Sequence, residues 1–174
     1  MATMVEPVSM AQAVLAEFHE EATITKRILD RVPGDKLTWK PHEKSMSLGQ
    51  LALHIATVPG GLARILQQDG FDVAERSFEA PSPKNLDEIR AAFDQSVRDG
   101  DQFLSHLTPQ QANGMWHLRK RDKELFSRPR IEVVRTIMLN HWYHHRGQLS
   151  VYLRLLEVPV PVIYGRSADE DPFA

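Results

Sequence analysis

The sequence predicts an all-α protein, a four-helix bundle finished by an extended C-terminal tail, and three observations lead there. Apolar residues recur at helical spacing through four long segments. The segments open on capping residues and are separated by Pro- and Gly-bearing loops. The 174 residues, 42% of them hydrophobic and 25% charged, suffice for one core, and a single domain is expected over 1–174.

The first helix is expected from about Ser9 to Arg31. Val14, Leu15, Phe18, Ala22, Ile28 and Leu29 form its stripe, Ser9 with Gln12 fits a reciprocal capping box, and Pro33-Gly34 ends it. The second opens at Ser47, with Gln50 three residues on, and carries Leu48, Leu51, Ile55, Val58, Leu62 and Ile65. Pro59 and Gly60 fall inside it. A proline lacks the amide donor and clashes with the carbonyl four residues back, so a kink or break is expected around Ala56 to Gly60. The third starts at Asn85, again with an acceptor at Glu88, and carries Leu86, Ile89, Phe93, Val97, Leu104 and Leu107, with Gly100 as a weak point. Between Thr108 and Arg130 the helical period fades into a short hairpin or an irregular loop. The fourth helix follows Pro129 and runs to about Glu157, with Val134, Ile137, Met138, Leu149, Tyr152 and Leu156 on one face. The tail VPVPVIYGRSADEDPFA is broken by prolines and is expected to pack extended on the bundle.

Composition excludes several classes of function. With no cysteine, there is no disulfide scaffold, iron–sulfur cluster, thiolate zinc site or catalytic thiol. A formal charge of −2 gives no general attraction to nucleic acid. The one basic cluster, Arg119, Lys120, Arg121 and Lys123, is interrupted by Asp122 and closed by Glu124, and it reads as a solvated loop or hairpin rather than a phosphate site. No Lys or Arg precedes Lys26 and Glu6 is already present, which argues against a secretory or transit signal and for a cytoplasmic protein. The uncharged run from Ser45 to Ala63 is too rich in polar residues and glycine to span a bilayer.

The histidines carry the functional information. His141 and His145, four residues apart, are a weak motif by spacing alone. Direction adds to it. At about 100° per residue Val134 and Tyr152 each lie about 20° from His141, and His145 lies about 40° from it, so both imidazoles fall within the apolar face. His54 borders the stripe of the second helix, about 40° from Val58. A single inward histidine is ordinarily a core residue bonded to a carbonyl or hydroxyl. Three that converge make a site for a divalent transition ion, and three neutral ligands leave a position for an anionic hydroxide or thiolate. Gln50, one turn before His54, and Gln148, three residues after His145, are candidates to orient the rings, as are Glu17, Glu20 or Glu21; a plain helix-surface role competes.

The strings DKLTWKPHEKSMSLGQLALHIATVPG and LNHWYHHRGQLSVYLRL resemble the DinB-like (YfiT-like) family of bacterial bundle proteins, which is distinct from the similarly named DNA polymerases. The resemblance covers nearly the whole chain. It implies a four-helix bundle holding a divalent metal, often nickel or zinc, on three histidines, which match His54 in GQLALHI and His141 and His145 in NHWYHHRGQL. It also implies a homodimer and, from characterised relatives, enzymes in which the metal activates a small thiol. Related chains often carry proline where this tail has Arg166, which concerns the local turn and not the metal site.

Three functions compete. In the first, an ion binds a low-molecular-weight thiol as thiolate, which attacks an electrophilic small-molecule substrate; a chain without cysteine must take its thiol from a cosubstrate. The second is metal-dependent hydrolysis by bound water. The third is a non-catalytic metal-binding bundle. Arg146 suits an anionic substrate or the carboxylate of a thiol cosubstrate, or a structural ion pair. His144 is either a proton shuttle or an exposed helix residue. Trp142 and Tyr143, off the stripe centre, suit a dimer face or a pocket mouth.

Overall fold

In the computed structural model, which describes residues 9–75 and 80–173, the caps form where the sequence places them. Ser9 and Gln12 each accept the other's backbone amide, and helix α1 runs Met10–Leu29. Ser47 and Gln50 open α2, Leu48–Leu66, in the same way. Helix α3, Leu86–Ser105, differs: Asn85 accepts the Glu88 amide, but the Glu88 carboxylate takes the amide of Lys84, 2.7 Å away, instead of that of Asn85. A short α4, Pro109–Asn113, opens on a Thr108–Gln111 box that the fading periodicity hid.

The fold is mostly helical but not all-α. Strand β1, Gly70–Asp72, pairs in parallel with β2, Met115–Lys120, which pairs antiparallel with β3, Lys123–Pro129. The hairpin reading of 108–130 is therefore correct for its second half. Its two-residue turn places Arg121 at φ 54°, and the Asp72 carboxylate accepts the Arg121 amide at 3.0 Å and the Ala74 amide at 2.8 Å. Those two donors hold the Asp72 carboxyl below the usual carboxylate range. The basic cluster is exposed around this turn, as a solvated hairpin.

Pro59 does not break α2. The helix is continuous from Leu48 to Leu66 because other helices supply what the proline removes. The Ile55 carbonyl, left without its usual partner four residues on, accepts the Trp142 indole N–H at 2.9 Å. Gly60 donates its amide to Ser96 Oγ on α3 at 2.7 Å. Gly60 also permits that approach, since a Cβ there would lie 2.8 Å from the Ser96 Cα.

The fourth helical run is compound: α5, Arg130–Val133, a π-helical segment, Val134–Leu139, and α6, Asn140–Leu155. The π segment holds one residue more than an α-helix of equal length, which offsets later residues by roughly 100° relative to earlier ones. Reckoning His141 from Val134 at a uniform 100° therefore fails. The core face of α6 is Trp142, Arg146, Leu149 and Leu153, with His141 and His145 at its half-buried edge.

Helix α3 packs on α2 and α1, and α6 packs on α2 and α1. Phe18, fully buried, stacks on Trp142 with centroids 5.7 Å apart. Gly100 clears room for it, since a Cβ there would lie 2.7 Å from Phe18 Cζ. The tail beyond α6 is irregular and tied down by charge: Arg154 pairs with Asp169, Arg27 and Arg31 with Glu170, and Asp169 also accepts the Val160 amide at 2.8 Å. Among the described residues, no helix is long and apolar enough to cross a membrane.

Candidate metal centre

Helix α2 supplies His54 and α6 supplies His141 and His145, and the three rings meet. His54 Nε2 lies 3.3 Å from His141 Nε2, which lies 2.7 Å from His145 Nε2. One nitrogen from each falls within 4.8 Å of the others, and among the described residues the group contains no carboxylate. The one-turn spacing of His141 and His145 survives the π segment because both lie beyond it. Two nitrogens about 3.3 Å apart suit a tetrahedral ion with bonds of about 2.0 Å, which the His54–His141 pair matches, whereas the His141 and His145 nitrogens, 2.7 Å apart, would have to part by several tenths of an ångström; the all-imidazole donor set suits a borderline transition ion such as zinc or nickel.

Gln148 fixes one ring. Its Oε1 lies 2.7 Å from His145 Nδ1, so Nδ1 is the protonated nitrogen and Nε2 keeps its lone pair toward the cluster. Burial, helped by the neighbouring His144, holds the His145 pKa below the usual imidazole value despite the opposing pull of Gln148. His144 itself is exposed.

The other predicted site residues lie elsewhere or are engaged elsewhere. Gln50 bonds the Ser47 amide through Oε1 and the Ala80 carbonyl through Nε2, so its amide serves the cap and the following loop. Arg146 is 1% exposed and pairs with Glu21 at 2.5 Å. It also donates to Thr25 Oγ1 at 3.0 Å and to the Tyr164 hydroxyl, and it lies between the rings of Tyr143 and Tyr164. Of its two predicted roles the structure gives it the ion pair; anion capture is corrected, because the guanidinium is enclosed by its own chain. Glu17 bonds Arg135 and the Tyr143 hydroxyl, Glu21 bonds Arg146, and Glu20 is exposed, so none of these bonds reaches the histidines. Trp142 is core rather than dimer face or pocket mouth. Tyr143, half-buried against Glu17, is a poor acid, its pKa raised by burial and that carboxylate.

What the sequence did not reveal is the cavity beside the cluster, of about 220 Å³. His54 and His141 stand in its wall. Val58, Leu62 and Ile65 of α2, Phe71 of β1, and Trp116 and Leu118 of β2 make most of the rest, with Ile137 from the π segment. No periodicity brings a strand onto a helix face, so only the parallel pairing of β1 with β2 exposes this wall.

A mostly helical fold carrying a three-histidine cluster at an apolar cavity defines a class of candidate metal-binding proteins. The chain belongs to the DinB family, whose sequence profile matches residues 4–171. A Bacillus subtilis (strain 168) relative, the uncharacterised protein YrdA, is 23% identical over 159 residues, 90% of this chain and 89% of its own. Crystal structures of DinB-like proteins share the fold: one from Bacillus subtilis has a TM-score of 0.68 at 20% identity, covering 88% of this chain and 99% of its own. Another, from Bacillus cereus ATCC 10987, has a TM-score of 0.68 at 22% identity, covering 88% and 97%.

Proposed function

We propose that His54, His141 and His145 hold a divalent transition ion, nickel or zinc, and that the protein is an enzyme that activates a low-molecular-weight thiol for transfer to an apolar electrophile. The observation that carries this reading is the convergence of three imidazole nitrogens at the wall of an apolar cavity. An ion held there supplies Lewis acidity, which favours thiolate over thiol near neutral pH. The chain's own residues do the rest. Gln148 keeps the His145 Nε2 lone pair turned to the cluster. The walls from α2 and the sheet exclude water from the electrophile and hold it beside His54 and His141. The absence of cysteine leaves a cosubstrate to bring the sulfur. In the same reading, residues 1–174 form one domain in which α1, α2, α3 and α6 make a four-helix bundle, and the protein works in the cytoplasm as a homodimer.

Elemental analysis of the untagged protein beside a His54→Ala, His141→Ala, His145→Ala triple variant tests the site. The expected result is about one equivalent of nickel, zinc or a similar ion in the parent and none in the variant. No metal in the parent after reconstitution with divalent ions overturns it. Depletion of a small thiol by an apolar electrophile then tests the reaction, and hydrolysis of an ester without thiol reads out the competing chemistry.

A further inference from the structure

Helix α2 turns one face to the cavity, and that face has a gap in it. His54, Thr57, Val58, Gly61, Leu62 and Ile65 line the cavity at the spacing of a single helical stripe. At about 100° per residue, position 61 lies about 20° from His54 and about 40° from Ile65, so a Cβ on Gly61 would leave the helix on the side where those two residues line the cavity. It would meet no atom within 4 Å. The preceding glycine is different, since a Cβ on Gly60 would lie 2.8 Å from the Ser96 Cα and helix packing requires its absence. Among the described residues no such packing requires Gly61, although glycine weakens a helix interior relative to alanine. Gly61, Ile65 and Phe71 also stand in the wall of an adjoining groove that Arg64, Gln68 and Glu75 continue. Position 61 thus belongs to both spaces. The cavity lining has little to meet a charge: it contains no Asp, Glu, Lys or Arg, and Thr57 directs its hydroxyl at the Leu53 and His54 carbonyls of its own helix.

We infer that Gly61 sets the size limit of this site: because it has no side chain, the cavity stays open beside the groove and takes a compact, uncharged, single-ring molecule about as large as ethylbenzene. This deepens, and rests on, the reading of the cavity as the electrophile site. Size agrees: an apolar cavity of about 150 Å³ accepts benzene, and this one, at about 220 Å³, has room for a short substituent besides. Charge agrees as well, since a formal charge drawn in among these walls would lose its water without gaining a partner. A side chain at position 61 would take up the room that the substituent needs.

The test titrates benzene, ethylbenzene and benzylammonium, the last matched to ethylbenzene in shape, into the untagged, as-purified full-length protein by calorimetry. Ethylbenzene should bind about tenfold tighter than benzene, as expected for two further buried methylene groups. Benzylammonium should bind at least about a hundredfold more weakly than ethylbenzene. Gly61→Leu should weaken ethylbenzene about tenfold or more. Gly61→Ala should lower the preference for ethylbenzene over benzene about twofold to fourfold, the effect of one methyl group. Gly147→Leu is the control: it too is a helical glycine whose Cβ would meet nothing within 4 Å, but it is exposed and outside the cavity lining, and its replacement should change neither affinity. No binding of ethylbenzene to the parent, comparable binding of benzylammonium, an affinity unchanged in Gly61→Leu, or an equal loss in Gly147→Leu overturns the inference. Should Gly61→Leu fail to fold, an unchanged preference in Gly61→Ala overturns it instead. Metal is measured in the same sample: ethylbenzene binding that depends on Gly61 in metal-free protein keeps this inference and removes the metal reading, while metal-replete protein that does not take ethylbenzene does the reverse.

Discussion

At Arg146 a charge that looked available to a ligand is committed to the fold. It faces Glu21 inside the core, so Arg146→Ala should strand a buried carboxylate and cost about 3–5 kcal/mol in denaturant unfolding. Trp142→Phe should leave the Ile55 carbonyl unmet, with about 1–3 kcal/mol lost from that group alone, read in the same way. Gln148 is the opposite case, exposed and dispensable to the core. If it orients His145 for a metal, Gln148→Ala should lower metal affinity about 10- to 100-fold in a competition titration while leaving the melting temperature of the metal-free chain unchanged. The pairing of His141 with His145 and of His145 with Gln148 was legible because each depends on spacing within one helix, whereas the meeting of His54 with them crosses from α2 to α6. The partner of Arg146 was not legible, because Glu21 lies on another helix and nothing in local spacing selects it over Glu17 or Glu20.

Within α2, two adjacent glycines should respond in opposite senses. A Cβ at Gly60 would sit 2.8 Å from the Ser96 Cα, so Gly60→Ala forces two backbones apart and should cost about 1–3 kcal/mol. A Cβ at Gly61 meets nothing within 4 Å, so Gly61→Ala should stabilise the helix by about 0.5–1 kcal/mol through the unfolded chain's lost freedom. Thermal melts of the two variants check the pair, and like-signed shifts would refute the account. The Pro59-Gly60-Gly61 run reads locally as a stop signal, and local rules are right about the bond that is lost. They are silent about Trp142 and Ser96, which replace the lost bonding from other helices. The π segment hides for a similar reason: its extra residue is decided by packing, and a uniform angle per residue carries no sign of it.

Across the whole molecule, charge holds the tail to the helices. Arg154 and the Val160 amide together hold the Asp169 carboxyl below the usual carboxylate range. Its contribution to tail docking is therefore complete above the unfolded value near pH 4 and is lost as the pH falls through the lower folded value. Limited proteolysis or hydrogen exchange over residues 158–173 should show release of the tail on acidification, and Asp169→Asn should weaken docking at neutral pH and remove that residue's share of the pH dependence. The sequence by itself determined the long helical segments, three of their starting caps, the hairpin option for 108–130, the absence of a cysteine thiol and the one-turn pairing of His141 with His145, because these depend on composition or on residues near one another along the chain. Only the tertiary structure decided the parallel β1–β2 pairing, the continuity of α2 through Pro59, the enclosure of Arg146 and the cavity wall holding Trp116. Each of those joins segments distant in sequence, where the deciding energies are the burial and hydrogen bonding of groups that local propensity leaves unpartnered.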